Sequence, residues 1–455
     1  MDNYTVINEK IPIIGKYEVV VVGGGTAGCV AAIASAREGA KTLLVEKYGF
    51  LGGTSTASQV MPMMHVGIEG NPSCSIDKNI RTLLLNLGYG AKDSNGNDGW
   101  FNPEMLKFVL EEILLERKVD ILYDTEFIRS LVSNNEIEGI VVYNRSGLSV
   151  VSGKIIVDCT GDAIVAYSSG VPCFIGDEVN GKNQKMSLRF MIGNINLEKF
   201  RNFLIDIGQK NGLNYPFIET ATVWGRNFPL EKVFGKGVED GILEYEDGEY
   251  FQAFSIPGMD GVMSFNCPEI PDVYYSTNSE QISYSYEEGR KMIKRLFNFM
   301  KKYFPGFENS FILSVAPMIG IRESRRIKGK YILSTVDYNN KAKFDDAIAK
   351  TAYPIDIHGE SNEQRQEMIQ LKNGEYFEIP FRTLVPLNIE NLLVAGRCIS
   401  STFIIQSSVR IQPTCRSTGE AAGIAAAYCV KENLSIKEID GLIIRKKMKE
   451  YGSDV

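Results

Sequence analysis

The sequence contains no cluster of cysteines. Its eight cysteines form neither a C-x-x-C pair nor the C-x-x-x-x-C spacing of a redox disulfide. Iron–sulfur clusters and structural zinc sites need clustered thiolates, so we predict no metal site of this kind. Unpaired cysteines are most often buried free thiols, and we expect no redox role for them.

Basic residues are scarce relative to acidic ones. The 49 lysines and arginines stand against 56 aspartates and glutamates, which gives a formal net charge of -7. Nucleic-acid binding depends on an excess of positive charge, so we predict no nucleic-acid partner.

Long apolar runs are also missing. The best candidate for a membrane span, residues 19–36, is interrupted by glycines and is typical of a strand, a turn and a helix. The residues ahead of Tyr17 lack the basic and then apolar layout of a signal peptide. We therefore expect a cytoplasmic protein with no membrane partner. At 455 residues, with 44% hydrophobic and 23% charged residues, the chain is long enough for two or three domains.

The most informative stretch lies near the start of the chain. Four consecutive valines, Val19–Val22, predict a buried parallel strand, and Gly23, Gly25 and Gly28 follow in the pattern G-x-G-x-x-G. In a dinucleotide-binding fold the first glycine permits a tight turn and the second lets the backbone approach a diphosphate. The third lets the helix pack on the strand, so that the helix N-terminus points at the negative charge. This stretch therefore predicts a dinucleotide site.

A second strand follows at the spacing of one strand–helix–strand unit. Residues 41–45 form that strand, and Glu46 lies 23 residues past Gly23. At this position an acidic side chain accepts hydrogen bonds from a ribose hydroxyl. The loop Gly52–Thr54 then predicts backbone amides placed against a ligand, with an ordinary surface turn as the alternative.

The later segments predict a discontinuous domain. Short strands at residues 120–123, 126–132, 137–143 and 148–157 form a β-meander that ends in a second glycine turn, Asp158–Asp162. From Val179 to Val385 aromatic residues become dense and strands mix with helices. A strand at 391–397 and a helix at 417–430 that is rich in small residues are again typical of a dinucleotide-binding domain. We predict a dinucleotide-binding domain of residues 1–178 and 386–455 and a mixed α+β substrate or cap domain of residues 179–385.

Two sets of motifs carry a family resemblance. The first set comprises the three motif glycines, Glu46, Gly52–Thr54, Cys159–Asp162 and Asn391–Arg397. It resembles the FAD-dependent oxidoreductases of the glutathione-reductase/fumarate-reductase flavoprotein superfamily. The second set, Gly320–Arg326, Tyr353–His358 and Val409–Thr414, resembles a family named simply FAD-dependent oxidoreductase. The resemblance covers nearly the whole chain and implies an α/β fold, with a Rossmann-like FAD-binding domain beside the mixed substrate domain.

The resemblance implies where each part of FAD would bind. The implied contacts are Gly23, Gly25, Thr26, Ala27 and Gly28 for the pyrophosphate; Glu46, Lys47 and Phe127 for the adenosine; Gly52, Gly53 and Thr54 for the flavin and ribityl chain; Thr160, Gly161 and Asp162 for the diphosphate side; Gly396 and Arg397 for the ribityl phosphate; and Gln412 and Thr414 for the isoalloxazine ring. The last placement also has a physical reason, because a helix N-terminus stabilises the negative charge of reduced flavin.

Few side chains are candidates for the chemistry itself, because the flavin carries the electrons. Histidine titrates nearest neutral pH, and His358 is one of only two histidines. We interpret His358 as a proton donor or acceptor, with a structural role as the alternative, and His65 as a second candidate. The basic cluster Arg322, Arg325 and Arg326 is a candidate for holding an anionic substrate, since guanidinium groups bind carboxylates in a bidentate manner; structural salt bridges are the alternative. Arg410 lies in the segment expected to approach the flavin and is a candidate for contact with substrate or cofactor.

The resulting hypothesis is an FAD-dependent oxidoreductase that transfers a hydride between a small organic substrate and flavin N5. No second nucleotide-binding motif is visible, so we expect no NAD(P)-binding domain. Dioxygen, a second substrate or a separate electron carrier would then complete the reaction. The alternatives are reduction of an activated double bond in a carboxylate, as in fumarate reductase, an NAD-dependent dehydrogenase and a non-catalytic FAD-binding protein. Flavin-dependent tRNA modification is disfavoured by the acidic charge, and homo-oligomerisation is left open.

Overall fold

Two β-sheets, one largely parallel and one antiparallel, organise the chain. The structure is a computed structural model that describes residues 8–214, 217–225, 227–359 and 371–455. Residues 1–7, on which the signal-peptide expectation rests in part, lie outside the described residues.

The elements are numbered in chain order. The strands are β1 (Ile13–Val22), β2 (Thr42–Val45), β3 (Gly90–Ala91), β4 (Trp100–Phe101), β5 (Asp120–Leu122), β6 (Glu126–Ser133), β7 (Glu136–Asn144), β8 (Gly147–Asp158), β9 (Cys173–Phe174), β10 (Phe190–Gly193), β11 (Ala221–Val223), β12 (Phe251–Ser255), β13 (Met263–Phe265), β14 (Phe311–Val315), β15 (Arg326–Ile327), β16 (Ala347–Thr351), β17 (Phe377–Pro380) and β18 (Leu392–Val394). The helices are α1 (Thr26–Arg37), α2 (Ser75–Asn86), α3 (Pro103–Glu116), α4 (Ile164–Ser168), α5 (Leu197–Asp206), α6 (Glu231–Glu239), α7 (Ser279–Tyr303), α8 (Thr335–Asn339), α9 (Phe403–Val409), α10 (Gln412–Glu432) and α11 (Gly441–Glu450).

The first sheet confirms the predicted α/β class with its parallel sheet and meander. Its strand order is β5-β2-β1-β8-β7-β6, and β18 also pairs with β8. Strands β5, β2, β1, β8 and β18 run parallel, whereas β7 is antiparallel to both β6 and β8. Strand β8 is long enough to pair with β7 near its start and with β18 at its end. The C-terminal segment thereby joins the sheet that the N-terminal segment begins.

The carboxyl ends of the three central parallel strands position the candidate site. Strand β1 ends at Val22 and runs into Gly23, β8 ends at Asp158, and β18 ends at Val394, two residues before Gly396. Val22 and Val394 pair with the same residue, Asp158, on either side of β8. Ligands of open α/β sheets bind at this edge, so the topology brings the three glycine turns together.

Small residues let helices α1 and α10 pack with their backbones almost in contact. A Cβ atom added to Gly419 would lie 2.3 Å from the carbonyl oxygen of Ala27, and one added to Gly423 would lie 2.2 Å from that of Ala31. Neither glycine can therefore be replaced without moving the two helices apart. The helix rich in small residues is present, and α10 begins at Gln412 rather than at the predicted residue 417.

The second sheet is antiparallel, in the order β11-β12-β13-β10-β14. A hydrophobic core rich in phenylalanine lies against it and draws on residues 186–319, with Phe200, Phe251 and Phe304 fully buried. The later residues Leu333, Ile348 and Phe377 belong instead to the core beneath the first sheet. The domain division at residues 178/179 and 385/386 stays a prediction.

Helices accompany the second sheet, as the mixed pattern of this region predicts. Helix α5 spans Leu197–Asp206, and α7 spans Ser279–Tyr303. The side chain of Asn278 caps α7 by accepting a hydrogen bond from the backbone N–H of Gln281. Among the described residues, no helix combines the length and the apolar character needed to cross a bilayer.

Candidate active site

A large cavity lies between the glycine-rich edge of the first sheet and the second sheet. Its volume is about 1150 Å³, somewhat larger than the roughly 300–1,000 Å³ typical of small-molecule sites. The cavity therefore has room for a dinucleotide together with a second small molecule. The predicted site residues that line it are Gly23, Gly25, Thr26, Ala27, Glu46, Lys47, Gly53, Thr54, Phe127, Thr160, Gly161, Asp162, Arg325, His358, Gly396, Arg397, Arg410 and Gln412.

Three predicted residues support the cavity from behind instead of lining it. A Cβ atom on Gly28 would lie 1.8 Å from the carbonyl oxygen of Gly23, so this glycine serves helix–strand packing. Gly52 has a φ of 103° and donates its N–H to the carbonyl of Gly24. Thr414 is buried in the first turn of α10, where its hydroxyl has no hydrogen-bond partner among the described residues.

The N-terminus of α1 faces an open cradle. Its N-cap residue Gly25 and its first residue Thr26 line the cavity, and no side chain in the described ranges caps this end of the helix. A Cβ atom added to Gly25 would meet one atom within 4 Å, the Cα of Gly53 at 3.6 Å, and would otherwise project into open space. Free N–H groups at an uncapped helix N-terminus bind anions. The cradle has the form that a diphosphate requires, and a side chain at Gly25 would fill it.

Glu46 is fixed at the end of β2 by two backbone donors. Its Oε2 accepts from the N–H of Gly24 at 2.6 Å, and its Oε1 accepts from the N–H of Tyr48 at 2.9 Å. The residue is 5% exposed, and burial raises the pKa of its carboxyl against these two hydrogen bonds. Because carboxylate oxygens can each accept more than one hydrogen bond, Glu46 can still bind a hydroxyl group in the cavity.

The second glycine turn is joined to the C-terminal segment by an ion pair. Asp162 Oδ1 lies 2.5 Å from Arg397 Nη2, and Arg397 Nη1 donates to the carbonyl of Ile321 at 2.7 Å. At the base of the turn the buried Asp158 accepts from both the N–H and the hydroxyl of Thr160. The predicted residues Thr160, Gly161, Asp162, Gly396 and Arg397 thus form one continuous wall of the cavity.

The N-terminus of α10 faces the cavity from the other side. In the described structure no side chain caps this helix either. The side chain of Gln412 accepts from the hydroxyl of Ser55 at 2.8 Å and donates to the carbonyl of Val60 at 2.7 Å. Gln412 therefore connects the helix to residues 55–60, which follow the pair Gly52 and Gly53. Two uncapped helix N-termini, those of α1 and α10, converge on the same cavity.

His358 stands in a row of alternating charges on the cavity wall. Its Nδ1 lies 2.5 Å from Glu269 Oε1, and its Nε2 lies 3.2 Å from Asp356 Oδ1. Glu269 Oε1 is also 2.9 Å from Arg322 Nη2, and Asp356 Oδ2 is 3.1 Å from Arg410 Nη2. A carboxylate only accepts hydrogen bonds, so both contacts of the ring are satisfied together when both of its nitrogens carry hydrogen.

The two carboxylates of this charge network are held in their ionised form. Burial would raise the pKa of Glu269, but Arg322 and His358 outweigh it and lower the pKa to about 2. Burial opposes the ionisation of Asp356 in the same way, and His358 and the nearby arginines hold its pKa well below the usual range. Burial also lowers the pKa of the Arg410 guanidinium. The network keeps ionised groups next to the cavity although little water reaches them.

Aromatic side chains complete the wall beside His358. The ring of Tyr250 meets the imidazole edge-on with centroids 5.2 Å apart, and Trp224 stacks with it at 6.2 Å. Arg325 lies away from this network, with its guanidinium carbon 4.3 Å from the ring centroid of Tyr167. The second histidine, His65, also lines the cavity and accepts the N–H of Gly67 at its Nδ1.

The family profile of the FAD dependent oxidoreductases matches residues 18–449. The chain belongs to this family. It is therefore an FAD-dependent oxidoreductase, as the motifs predicted, and its cofactor is FAD.

Curated relatives match parts of the chain. The tRNA uridine 5-carboxymethylaminomethyl modification enzyme MnmG of Alkaliphilus metalliredigens (strain QYMF) is 30% identical over 158 residues, which are 31% of this chain and 24% of that enzyme. Dihydrolipoyl dehydrogenase 2, mitochondrial, of Arabidopsis thaliana is 28% identical over 252 residues, 54% of this chain and 42% of that enzyme. The chain thus covers about a quarter of the length of the first of these relatives and less than half of the second.

Among solved structures, a geranylgeranyl bacteriochlorophyll reductase-like protein from Thermoplasma acidophilum aligns over 96% of this chain and 82% of its own length. The alignment has 14% sequence identity and a TM-score of 0.48.

The partners of His358 are the functional residues that sequence reasoning missed. Glu269 is 89 residues away from His358 along the chain and belongs to no motif. Asp356 lies in the motif Tyr353–His358 and Arg322 in the motif Gly320–Arg326, but nothing in the sequence connects either residue with the side chain of His358. A spacing rule could not have found Glu269, because its contact depends on the loop after β13 folding back over the segment 353–358.

Proposed function

We propose that this enzyme transfers a hydride between a small organic substrate and N5 of FAD. When bound, FAD supplies the two-electron chemistry. The observation that carries the proposal is the convergence of two uncapped helix N-termini and a buried charge network on one cavity. One part of the cavity then suits the cofactor, and the remainder, next to His358, suits a substrate.

The residues at the glycine turns would hold the cofactor. We assign the diphosphate to the cradle at Gly25 and the N-terminus of α1, and the adenosine ribose to Glu46. The isoalloxazine ring then lies at the N-terminus of α10, beside Gln412. The helix dipole there favours negative charge on the reduced ring. Lys47, Phe127, Asp162 and Arg397 also line the cavity. We assign Lys47 and Phe127 to the adenosine, Asp162 to the diphosphate side and Arg397 to the ribityl phosphate.

His358 is the residue we assign to proton transfer. Its Nδ1 is held tightly by Glu269 at 2.5 Å, whereas the Nε2 contact with Asp356 is longer at 3.2 Å. Nε2 is therefore the nitrogen that can exchange a proton with a substrate, while Glu269 fixes the orientation of the ring. Arg410 neutralises Asp356 and lines the cavity next to Gln412, where it can contact substrate or cofactor.

The buried charge network supports catalysis over a purely structural role for the flavin. Desolvating several ionised groups costs free energy, and perturbed groups in a cleft are typical of functional sites. The acidic net charge of -7 supports a small substrate over an RNA. Reduction of an activated double bond is the same transfer in the opposite direction, with His358 donating the proton.

Anaerobic reduction of the bound flavin tests the proposal. Carboxylates, sugars and amines are mixed singly with the enzyme under argon, and bleaching of the visible flavin absorbance is followed by stopped-flow. At least one class should bleach the flavin. With that compound, His358→Asn should retain FAD and slow the reduction by about a hundredfold, the scale of acid–base catalysis.

The second histidine provides the comparison. If His65→Asn slows the reduction and His358→Asn does not, the proton-transfer role belongs to His65. A flavin that no compound bleaches, and that after photoreduction is reoxidised slowly by every acceptor, would show that the cofactor is structural and would overturn the proposal.

A further inference from the structure

One buried arginine on the cavity wall has no acidic partner. In the described part of the chain five arginines are buried, and four of them, Arg81, Arg322, Arg326 and Arg416, form ion pairs with carboxylates. The fifth, Arg189, is 3% exposed and has no carboxylate within 4.0 Å among the described residues. A buried charge is normally paired, because leaving it unpaired costs several kcal/mol.

The hydrogen bonds of Arg189 leave part of its guanidinium unused. Nη2 donates to the carbonyl of Met61 at 3.1 Å and makes a longer contact of 3.4 Å with the hydroxyl of Ser264, whereas Nε has no partner in the described structure. Both partners are neutral. Burial, together with repulsion from Arg322, lowers the pKa of Arg189 to about 10, so the group remains a cation at neutral pH. Its positive charge is balanced by nothing that the described chain supplies.

Arg189 lies close to the position assigned to the flavin ring. Its guanidinium binds the carbonyl of Met61, and the amide of Gln412 binds the preceding carbonyl, that of Val60. Consecutive residues are about 4 Å apart along the chain. Gln412 belongs to the helix end where we place the isoalloxazine ring. A ligand bound to Arg189 would therefore lie beside that ring.

The surroundings of Arg189 are apolar and aromatic. Its guanidinium carbon is 5.8 Å from the ring centroid of Phe254, which packs edge-to-face with Trp100 at 5.7 Å, and Pro62 also lines this part of the cavity. A guanidinium fork binds a carboxylate through paired hydrogen bonds. One unpaired guanidinium beside apolar side chains suits a singly charged group on an organic body better than a multiply charged phosphate, which needs several donors.

We propose that Arg189 binds the carboxylate of the substrate, so that the enzyme acts on an organic acid with an apolar or aromatic body. This inference rests on the proposed function, because only that function makes the bound carboxylate a substrate. The binding site itself does not depend on turnover. The carboxylate supplies the missing counter-charge. The neighbouring ion pair Arg322–Glu269 cannot do so, because each of its charges is already matched.

Equilibrium binding to the FAD-loaded enzyme tests the site. Benzoate, phenylacetate and succinate are titrated while the visible flavin spectrum is recorded, with benzamide and phenylacetamide as neutral analogues. At least one carboxylate should perturb the spectrum in a saturable way, and its amide should bind at least tenfold more weakly. Arg189→Met should lose at least tenfold in carboxylate affinity and retain FAD, because a hydrogen-bonded ion pair is removed.

Thermal unfolding separates a ligand site from a structural role. Arg189→Met removes an unbalanced charge, so its melting temperature should equal or exceed that of the parent enzyme. The matched variant Arg322→Met removes one of the two cations beside the buried Glu269 and should melt at a lower temperature. Arg189→Lys keeps the charge without the fork and should bind carboxylates with intermediate affinity.

Two outcomes would overturn the inference. One is carboxylate binding of equal strength in Arg189→Met, and the other is a parent enzyme that binds none of the three carboxylates. Failure of the proposed function looks different: no compound would bleach the flavin, while the spectral titration would still show binding that depends on Arg189.

Discussion

Glu269 lies between two cations, and its ionisation therefore links the charge network to stability. Its pKa in the folded protein is about 2, against an ordinary value of 4.5. A carboxyl with a lowered pKa stabilises the fold above its ordinary pKa and loses that contribution as the pH falls toward its folded value. The difference corresponds to about 3 kcal/mol. We predict that Glu269→Gln is less stable than the parent at pH 7 and that this difference shrinks between pH 4.5 and 2.

The measurement is the melting temperature as a function of pH for both proteins. Glu308 supplies a matched control, because its pKa is also lowered but by backbone hydrogen bonds at the surface. Glu308→Gln should differ from the parent less than Glu269→Gln does, because a neutral amide oxygen can accept the same backbone hydrogen bonds. A Glu269→Gln curve that runs parallel to the parent through the acid range would mean that Glu269 is not held ionised by its neighbours.

Individual residues could be predicted from the sequence where a motif fixes the backbone around them. The glycines of the first motif and Glu46 are placed by the spacing of one strand–helix–strand unit, and all except Gly28 line the cavity. Arg189 could not be predicted in this way, because its significance is the absence of a partner. Which carboxylates surround an arginine depends on how distant segments fold together, and spacing carries no such information.

At the scale of elements, the strand–turn–helix at the start of the chain assigns different tasks to two glycines. Gly25 has ordinary backbone angles and open space for a Cβ, whereas a Cβ on Gly28 would overlap the carbonyl oxygen of Gly23 at 1.8 Å. We predict that Gly25→Val folds but loses FAD, since its side chain fills the diphosphate cradle. Gly28→Val should fail to fold, since strand and helix cannot both keep their places.

Circular dichroism and the ratio of flavin to protein absorbance check this pair. Gly39→Val is not a useful control, because its φ of 94° is itself unfavourable for valine. Gly235→Val is suitable, because a Cβ at Gly235 meets no atom within 4 Å and lies far along the chain from the glycine motifs. Stoichiometric FAD in folded Gly25→Val would place the diphosphate elsewhere.

Elements were predictable where periodicity and capping residues agree. The valine strand and the meander both follow from local sequence, and the Asn102 side chain, ahead of Pro103, caps α3. Helix α10 begins five residues earlier than predicted, at Gln412 instead of Ser417. Its first turn holds proline and polar residues, which hide the start of a helix that is buried along most of its length.

At the scale of the whole molecule, the site is assembled from segments that are far apart in the chain. The first sheet joins β1, β8 and β18, so the turns after residues 22, 158 and 394 meet at one edge. Arg189 and Tyr250, which immediately precede β10 and β12 of the second sheet, line the other side of the cavity. Sequence motifs predict the half of the cavity that we assign to the cofactor, because a dinucleotide demands a fixed backbone geometry. The half that we assign to the substrate has no such demand, and its composition depends on tertiary packing.

The same arrangement makes the flavin the sole predicted electron store of the molecule. All eight cysteines are free, and burial raises the pKa of every thiol, including Cys415 on the cavity wall, whose pKa rises to about 12. Thiol–disulfide exchange needs a thiolate.

We predict that anaerobic titration with dithionite ends after about two electrons per FAD, the capacity of one flavin. The variant Cys415→Ser should give the same end point. An end point near four electrons per FAD would reveal a disulfide that exchanges with the flavin. If Cys415→Ser then lowered the end point to two electrons per FAD, Cys415 would be one of the two cysteines of that disulfide.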